Sequence, residues 1–399
     1  QFASITLGHR MSGRANFPRR LATAYLNARI QRRQSEFVKM LEQLMLSEHR
    51  VAQAFLLKAD GGTMRLSESM HRPIESILSG PAASTMGALA LAADPGVNAA
   101  VIDIGGTTTD ISVLVSGDPV FDRHGAVIAG HATLVPALFA RSIGLGGDSE
   151  VRCDQSGVRI GPCSAGTPAA LGGNAVTPTD AAAALGLAQI GSRTRAIRAL
   201  ADFAGPIGLS PMAAAERIVS AFAAQLAAEV EAVYTSLESA PVYTVSEMLT
   251  SPNIRPVRLI GLGAPAPVFV PRAAALMGLP FELLPFHAAA NAIGAAASRP
   301  TTSITLHADT ALGILTIPEV GYRAQLPSRP GFGLRQARAE ALTWAERAAR
   351  SLGADADAAH DVSIVEEESF NVVRGFYTVG RIFSIKAQVR PKARRVDEA

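Results

Sequence analysis

The interpretation of the whole chain depends on one stretch of sequence, Ala99-Ala-Val-Ile-Asp-Ile-Gly-Gly-Thr-Thr-Thr-Asp-Ile-Ser-Val-Leu-Val-Ser-Gly-Asp-Pro-Val-Phe121. An apolar, β-rich run over residues 99–104 leads into two glycines, three threonines and Asp110, and a second β-rich run covers residues 111–115. A turn over residues 116–119 follows, and we expect a third strand to begin at Val120. The pattern therefore predicts two strands joined by a tight glycine bend, with a third strand after a turn.

The glycine bend between the first two strands is suited to binding phosphate. Gly105 and Gly106 let the backbone approach an anion, and consecutive N–H groups aimed into one concavity bind oxyanions without any side chain. The hydroxyls of Thr107, Thr108 and Thr109 can add further donors. The alternative is an ordinary hairpin whose glycines serve only the turn, but such a turn does not require three threonines between two acids.

Two aspartates flank the bend. Asp103 ends a strand that we expect to be buried, where an unpaired charge is costly, and a hydrated Mg2+ carried by a nucleotide would neutralise it. Asp110 lies across the bend. The spacing differs from both the Walker loop and the Gly-x-Gly-x-x-Gly fingerprint, because here strand residues lie on both sides of the glycines. We predict Asp103 as a catalytic and metal-binding residue and Asp110 as a second catalytic residue.

Several motifs together resemble a known family. Leu78-Ser-Gly-Pro-Ala-Ala-Ser84 precedes the bend, and the other motifs follow it in the expected order: Gly144-Leu-Gly-Gly-Asp-Ser149, Arg159-Ile-Gly-Pro-Cys-Ser-Ala-Gly166, Val176-Thr-Pro-Thr-Asp180, Gly261-Leu-Gly-Ala-Pro-Ala-Pro267 and Asn291-Ala-Ile-Gly-Ala295. With this set, residues 60 to 300 or so resemble the hydantoinase A/5-oxoprolinase family of the actin, sugar kinase and Hsp70 ATPase superfamily. The set is more specific than any one of its members.

The resemblance implies an α/β fold in which an actin-like ATPase lobe, of the ribonuclease H-like type, has a mixed sheet and flanking helices. We expect residues 1–78 to be the remainder of a first lobe and residues 79–299 to form the ATPase lobe. Residues 300–399 would form a small C-terminal α+β domain, with a linker at Pro300-Thr-Thr-Ser303. A chain of 399 residues is long enough for more than one core.

A second glycine loop is a candidate for the same nucleotide. Gly146, Gly147 and Asp148 would border its phosphate or metal end. Glycines at this spacing are weak evidence alone, and the alternative is that they only turn the chain.

A third loop matches the position of the family's adenosine loop. Gly261, Gly263, Ala264 and Pro265 follow a predicted buried strand and precede a predicted helix, so that backbone atoms could lie flat against an adenine ring. The alternative is a plain strand-to-helix turn. Leu262 stands where the family has the second glycine of a pair, which puts the close approach of adenine in doubt.

The superfamily has two phosphate hairpins, one in each lobe, and nothing before residue 60 matches the first of them. Asp60-Gly-Gly-Thr63 resembles half of a phosphate loop, but it lacks the further threonines and the flanking acid, so we interpret it as a plain turn. We therefore expect this chain to lack the first hairpin, either as a fragment or because a separate chain carries it. A half-site of this kind would bind ATP weakly.

Elsewhere the apolar spacing predicts several helices. They are expected over residues 20–45, 82–93, 211–236, 268–277, 288–297 and 333–352, and a strand followed by a helix is expected over residues 126–140. Thr177 or Thr179 would cap the alanine-rich helix that follows them.

Composition excludes several classes of function. The formal net charge is only +3, and the basic residues are spread along the chain, so a nucleic-acid footprint is not indicated. The sequence contains no run of about 18 apolar residues, so it does not indicate a membrane span. Cys153 and Cys163 suit a reducing, cytoplasmic location, and neither their spacing nor the scattered histidines indicate a disulfide or metal site.

The resemblance implies an ATP-dependent hydrolase in which ATP phosphorylates an oxygen of a cyclic amide or another carbonyl substrate, for hydrolysis or carboxylation. ATP and Mg2+ would be the cofactors, and a hydantoinase B-type subunit or a second copy of the chain would be the partner. Two alternatives remain: a nucleotide-binding regulatory ATPase subunit, and a small-molecule kinase of the same superfamily. The sequence assigns no residue to the organic substrate.

Overall fold

The computed structural model describes residues 5–48, 54–94, 96–154, 157–239, 253–326, 331–354 and 361–396. The chain forms two compact units built from interleaved segments. Unit 1 consists of Gln1–Ala82, Phe121–Leu138 and Ala297–Arg394, and unit 2 consists of Ala83–Val120, Phe139–Ala296 and Arg395–Ala399.

The α-helices are α1 (Gly8–Met11), α2 (Phe17–Glu48), α3 (Leu66–Ser69), α4 (Ser79–Leu91), α5 (Pro178–Ala184), α6 (Arg193–Ala204), α7 (Pro211–Glu238), α8 (Ala266–Met277), α9 (Ala290–Ala297) and α10 (Leu334–Ser351). The strands are β1 (Phe55–Leu57), β2 (Thr63–Arg65), β3 (Ala99–Ile104), β4 (Thr109–Val115), β5 (Asp118–Pro119), β6 (Val127–Ile128), β7 (His131–Ala132), β8 (Ala140–Ile143), β9 (Ser149–Asp154), β10 (Gly157–Ser164), β11 (Arg258–Leu262), β12 (Phe281–Leu283), β13 (Ser303–Asp309), β14 (Ile314–Ile317), β15 (Tyr322–Gln325), β16 (Val362–Arg374) and β17 (Tyr377–Val389). Short 3-10 helices cover Pro73–Ser76, Ala169–Leu171, Gly205–Ile207, His287–Ala289 and Pro318–Val320.

The main sheet of unit 2 is mixed, with strand order β12-β11-β3-β4-β5, and β8 pairs with β4 as well. Strands β3 and β4 are antiparallel, whereas β11 runs parallel to β3. The bend after β3 and the loop after β11 therefore leave the sheet at the same edge. Ligands of open α/β sheets commonly bind at this carboxyl edge.

The turn after β4 is a two-residue turn. Ser116 and Gly117 both have positive φ, at 51° and 83°, and Oδ1 of Asn98 accepts the Ser116 N–H at 2.7 Å. Two positive φ values in succession are typical of the hairpin turns that match strand twist. The third strand consequently begins at Asp118, two residues earlier than the sequence predicts, and it ends at Pro119.

Helices α5 to α8 supply most of the core of unit 2. The predicted long helix is confirmed as α7, and the Ser210 hydroxyl caps it by accepting the Ala213 N–H at 3.2 Å. Phe222 of α7 stacks on Phe269 of α8 with ring centroids 3.8 Å apart. In α5, all four alanines are buried, which agrees with close packing through small side chains.

Unit 1 contains an antiparallel sheet with the order β15-β14-β13-β17-β16. Helix α10 packs on it, and its buried face is made of small residues, including Ala337, Ala341 and Ala345. These alanines contact the same core as Phe383 and Ile385 of β17. The helix that the sequence predicts over residues 333–352 is present as α10.

The helix predicted within residues 126–140 is wrong. This segment forms the short β6–β7 ladder and then runs without helix to β8. Gly125, Ala129 and Gly130 have φ of 89°, 50° and 78°, which a right-handed helix does not allow. The predicted helix over residues 20–45 is present and extends over Phe17–Glu48, and α4 begins three residues before the predicted start. Within the described residues, no helix is both long and apolar enough to cross a membrane.

Candidate functional site

The bend between β3 and β4 presents backbone donors to solvent. Gly106, Thr107 and Thr108 are exposed, and within the described chain none of their three N–H groups donates to a backbone or side-chain acceptor. The neighbouring Gly105 N–H is used internally, because it donates to the Thr108 carbonyl at 2.9 Å. Successive backbone amides without internal acceptors are the kind of donor from which anion sites are built.

Asp103 and Asp110 face each other beside this bend. They are directly paired across β3 and β4, so their side chains lie on the same face of the sheet. The Ser84 hydroxyl of α4 donates to Oδ2 of Asp103 at 2.5 Å. Burial raises the pKa of Asp103, and the bond from Ser84 lowers it in part.

The pKa of Asp110 is also raised. The main cause is again burial, a hydrogen bond from Ser142 acts in the opposite direction, and the charge of Asp103 raises the pKa further. Oδ1 of Asp110 is buried and has no hydrogen-bond partner in the described chain. Two half-buried carboxylates, one with an unused oxygen, fit a cation that carries its own water ligands. Among the described residues, no cluster of three His, Cys, Asp or Glu side chains forms a complete protein cage for a metal ion.

The second glycine loop packs directly on the bend. The Gly147 N–H donates to the Gly105 carbonyl at 3.0 Å, and the Asp148 N–H donates to the Gly106 carbonyl at 2.6 Å. A Cβ atom at Gly146 would lie 2.4 Å from the Gly106 carbonyl oxygen, which is too close for any side chain. The second loop therefore fixes the backbone of the bend through the carbonyl groups and leaves the exposed amides available.

Helix α5 begins beside the second loop. Thr179, in its first turn, donates its hydroxyl to Oδ1 of Asp148 at 3.1 Å and its N–H to the Gly147 carbonyl at 2.8 Å. Burial raises the pKa of Asp148, and the bond from Thr179 lowers it in part. Of the two candidate caps, Thr177 is the one that caps the helix, in a reciprocal capping box with Asp180.

The third glycine loop, which follows β11, approaches Asp103 of the acid pair. Gly263 has φ of 91°, and a Cβ atom there would lie 2.1 Å from the Ile104 carbonyl oxygen and 2.8 Å from Oδ1 of Asp103. His287 holds this loop in two places. The Gly263 N–H donates to the His287 carbonyl at 2.8 Å, and Nδ1 of His287 lies 3.0 Å from the Gly263 carbonyl oxygen.

The structure thus brings the three predicted loops of unit 2 together around Asp103. Pro265 also reaches the second loop, because its Cγ atom lies 3.1 Å from the position of a Cβ on Gly147. Ala264 is exposed beside it, while Leu262 is buried in β11 and Gly261 is enclosed by the side chains of Val270 and Leu283.

Thr109 does not reach the exposed part of the bend. It is the first residue of β4, its side chain is fully buried, and its hydroxyl donates to the Leu145 carbonyl at 2.5 Å. Of the three threonines, only Thr107 and Thr108 are exposed at the bend. Thr107 and Thr108 belong to the bend before β4, whereas Thr109 is the first residue of β4 and is held inward by its bond to Leu145.

Sequence reasoning did not select Ser84, Thr179 and His287 as site residues. Ser84 lies in the motif Leu78–Ser84 and Thr179 in the motif Val176–Asp180, and a hydroxyl next to small residues was the available signal. For His287, no local signal exists, because its contact with Gly263 depends on tertiary structure. Cys153 and Cys163 lie on the paired strands β9 and β10, and neither forms a disulfide in the described chain.

Comparisons with known proteins agree with this architecture. A family model described as Hydantoinase/oxoprolinase matches residues 20–304, more than half of the chain. A comparison with curated protein sequences gave no significant match.

Two solved structures share the fold. The nucleotide-free structure of acetone carboxylase, from work on ATP-dependent acetone carboxylation, is 17% identical, with a TM-score of 0.60 over 95% of this chain and 58% of that one. The ATP-dependent caprolactamase from Pseudomonas jessenii is 18% identical, with a TM-score of 0.67 over 98% of this chain and 60% of that one. The chain spans about three-fifths of the length of these two structures.

Proposed function

Because this chain belongs to the hydantoinase/oxoprolinase family, we propose that it is part of an ATP-dependent enzyme that activates a cyclic amide or another carbonyl substrate. The two structural neighbours are an ATP-dependent caprolactamase and an ATP-dependent acetone carboxylase, and a lactam and a ketone share an unreactive carbonyl group. Phosphorylation of the carbonyl oxygen by ATP would activate a carbonyl group of either kind. We favour hydrolysis of a cyclic amide, with carboxylation as the alternative outcome.

The observation that carries this proposal is the bend itself. Its three free amides lie in exposed residues beside two half-buried carboxylates, those of Asp103 and Asp110. Amides at this position would bind phosphate oxygens and stabilise the negative charge of a phosphoryl group in transfer. The hydroxyls of Thr107 and Thr108 would add donors at the same exposed surface.

Mg2+ would be held by Asp103 and Asp110, mainly through water. Their raised pKa values and the unused Oδ1 of Asp110 support this assignment, because a divalent cation lowers the cost of two close, buried negative charges. When bound, Mg-ATP supplies the phosphoryl group that makes the carbonyl carbon open to attack. The chain's own part is to hold the phosphate oxygens, with Ser84 fixing the orientation of the Asp103 carboxylate.

The other two loops would complete the nucleotide site. Gly146, Gly147 and Asp148 shape the phosphate end, where Asp148 is oriented by Thr179. Gly261, Gly263, Ala264 and Pro265 would approach the adenosine, and exposed Ala264 is the residue best placed to meet it.

We propose that residues 79–299 form an actin-like ATPase lobe and residues 300–399 a small α+β domain, with residues 1–78 belonging to another lobe. The mixed sheet within residues 99–283 and the separate antiparallel sheet within residues 303–389 support the ATPase lobe and the α+β part, whereas residues 1–82, 121–138 and 297–394 lie together in unit 1. We further propose a cytoplasmic protein that works with a hydantoinase B-type subunit or as a homo-oligomer.

Substrate-dependent phosphate release tests the proposal. The complete enzyme, with any companion subunit that it requires, would be assayed with Mg-ATP and either a lactam, a hydantoin, a ketone with bicarbonate, or a sugar. We expect a cyclic amide to stimulate phosphate release, with one ring opened for each phosphate released. Accumulation of a stable phosphorylated product would instead indicate a kinase. Phosphate release that responds only to a protein partner would indicate a regulatory ATPase.

A further inference from the structure

Unit 1 contains two adjoining cavities lined only by its own residues. Their volumes are about 300 Å³ and about 230 Å³, and Leu134, Thr305 and Lys386 line both of them. Cavities of this size accommodate small organic molecules. Neither cavity is lined by residues of the bend, the second loop or the third loop of unit 2. The polar residues that line the two cavities therefore need an explanation of their own.

The larger cavity includes a buried ion pair. The Lys58 ammonium lies 2.9 Å from Oδ2 of Asp60, and both side chains are more than nine-tenths buried. Thr301 completes the arrangement, because its carbonyl accepts from Lys58 at 3.0 Å and its hydroxyl donates to Asp60 at 2.8 Å. Asp60 therefore has a structural role in the turn between β1 and β2. A buried ion pair adds little net stability, so it provides a rigid polar wall rather than a large gain in folding free energy.

Two further carboxylates line this cavity without a cationic partner. Glu319 is nine-tenths buried, and its two oxygens accept only backbone N–H groups, from Gly13 at 2.7 Å and Thr305 at 3.1 Å. The Glu68 carboxylate has no hydrogen-bond or ion-pair partner in the part of the chain that the structure describes. Taken together, the lining has four carboxylates and three cations. The larger cavity thus offers acceptors to an ammonium group.

The smaller cavity has the opposite balance, with three cations and two carboxylates. Arg14 and Lys386 share one carboxylate, that of Glu366, at 2.9 and 3.4 Å. Arg19 donates to the carbonyl groups of His124 and Thr133 at 2.7 and 3.3 Å, so its positive charge is not neutralised by these contacts. This cavity thus offers donors to a carboxylate group.

We propose that unit 1 binds a small zwitterion, a linear amino acid whose ammonium group lies in the larger cavity and whose carboxylate lies in the smaller one. Glu68 and Glu319 receive the ammonium group, while Lys386 and Arg19 face the carboxylate. Leu134, which lines both cavities, contacts the methylene chain between the two charges. Charge-assisted hydrogen bonds at both ends select for a ligand that carries both charges.

The inference depends on unit 1 alone and not on the nucleotide site. A linear amino acid is also what hydrolysis of a lactam releases, so the ligand class is compatible with the proposed function. If that function fails its test, the amino-acid site is unaffected. Conversely, if the chain shows ATP-dependent lactamase activity but does not bind an amino acid in unit 1, the proposed function still stands.

Calorimetric titration of the full chain, without nucleotide, tests the site. The probes are δ-aminovalerate, which carries both charges, and two ligands of the same length that each lack one charge, valerate and pentylamine. We expect δ-aminovalerate to bind at least about tenfold more tightly than either, equivalent to ~1.4 kcal/mol. Equal affinity for all three, or no binding of δ-aminovalerate, overturns the proposal.

Two variants test which cavity binds the ammonium end of the ligand and which binds its carboxylate end. Glu68→Gln should weaken δ-aminovalerate and pentylamine about tenfold and leave valerate unchanged, whereas Lys386→Gln should weaken δ-aminovalerate and valerate and leave pentylamine unchanged. Glu340→Gln, on the exposed face of α10 and outside both cavities, is the matched control. If Glu68→Gln behaves like this control while keeping its fold by circular dichroism, the ammonium subsite is refuted. Asp103→Asn should bind all three probes as the parent chain does.

Discussion

The carboxylates of Asp103 and Asp110 are direct cross-strand neighbours on β3 and β4, on the same face of the sheet and beside a bend with three unused amides. Like charges in this position repel each other, and burial adds to the cost. An arrangement with this cost is expected where a cation or a phosphoryl group is bound. The predictions below follow from this pair and from the loops that surround it.

Replacing Asp103 should abolish turnover. Asp103→Ala and Asp103→Asn are expected to lower Mg-ATP hydrolysis by the complete enzyme at least about 100-fold, because electrostatic groups at a reacting centre contribute on this scale. Thermal unfolding should show that both variants keep the fold. Asp202→Asn, on the exposed side of α6, is the control and should retain full activity. Turnover at the parent rate in Asp103→Ala would remove this residue from the mechanism.

Asp110→Asn should stabilise the protein at neutral pH. The pKa of Asp110 is raised in the folded state above its ordinary value of 3.8, so folding favours the protonated form. As pH rises from this ordinary value through the folded-state pKa, the ionised carboxylate costs folding free energy, and the amide removes this cost. Calorimetry without nucleotide or metal should show a higher Tm for the variant at pH 7, with a difference that shrinks as the pH falls. A lower Tm at pH 7 would contradict the prediction.

Activity should also depend on pH, but in the opposite direction to the stability effect at Asp110. If the ionised pair is required, turnover falls on acidification at a pH above the ordinary carboxyl range, because burial raises the pKa of both aspartates. The pH profile of substrate-dependent phosphate release measures this. Added Mg2+ should move the acid limb to lower pH, since a bound cation favours the ionised carboxylates. An acid limb whose pH position does not change when Mg2+ is added would argue against metal binding at this pair.

Gly146→Ala should disrupt the contact between the second loop and the bend. A methyl group there would lie 2.4 Å from the Gly106 carbonyl oxygen, and backbone cannot move away as a flexible side chain can. We expect a loss of about 1–3 kcal/mol in the free energy of unfolding, together with weaker nucleotide binding. The control is Gly205→Ala, where a Cβ meets nothing within 4 Å. Chemical denaturation of the two variants would show equal stability if the contact were unimportant.

Thr179→Val should change Asp148 through the loss of one hydrogen bond. The hydroxyl of Thr179 lowers the pKa of Asp148, so its removal should raise that pKa further and weaken ATP binding several-fold. Thr179→Ser keeps the hydroxyl and should restore the parent affinity. NMR titration of the Asp148 carboxyl and nucleotide titrations distinguish this positioning role from a loss of fold. Equal behaviour of the Val and Ser variants would refute it.

Local patterns were sufficient for the elements that depend on local forces. The β3–bend–β4 hairpin follows from β-rich runs around glycines, and α7 follows from a capping serine, Pro211 and an apolar stripe. Family membership follows from the order of the motifs. The segment over residues 126–140 was misjudged because its backbone is set by positive φ values at Gly125, Ala129 and Gly130, which apolar spacing does not reveal.

The sequence was sufficient to predict which loops form the candidate site, but not which residues of those loops contact one another. The contacts of Asp148 with Thr179 and of Gly263 with His287 join residues far apart in sequence. The role of Thr109 also required the structure, since only strand pairing shows that its hydroxyl turns inward to Leu145. The sequence does not distinguish the three threonines, but Thr107 and Thr108 lie in the bend and only Thr109 belongs to β4.

The approach of Gly263 to the Ile104 carbonyl has a consequence for biosynthesis. When the ribosome has added residue 110, both acids and the bend already exist as sequence, yet the backbone that encloses Asp103 is still about 150 residues from being translated. A nascent chain therefore cannot acquire the finished pocket early. A product released before residue 263 would lack the backbone that approaches Ile104 and Asp103.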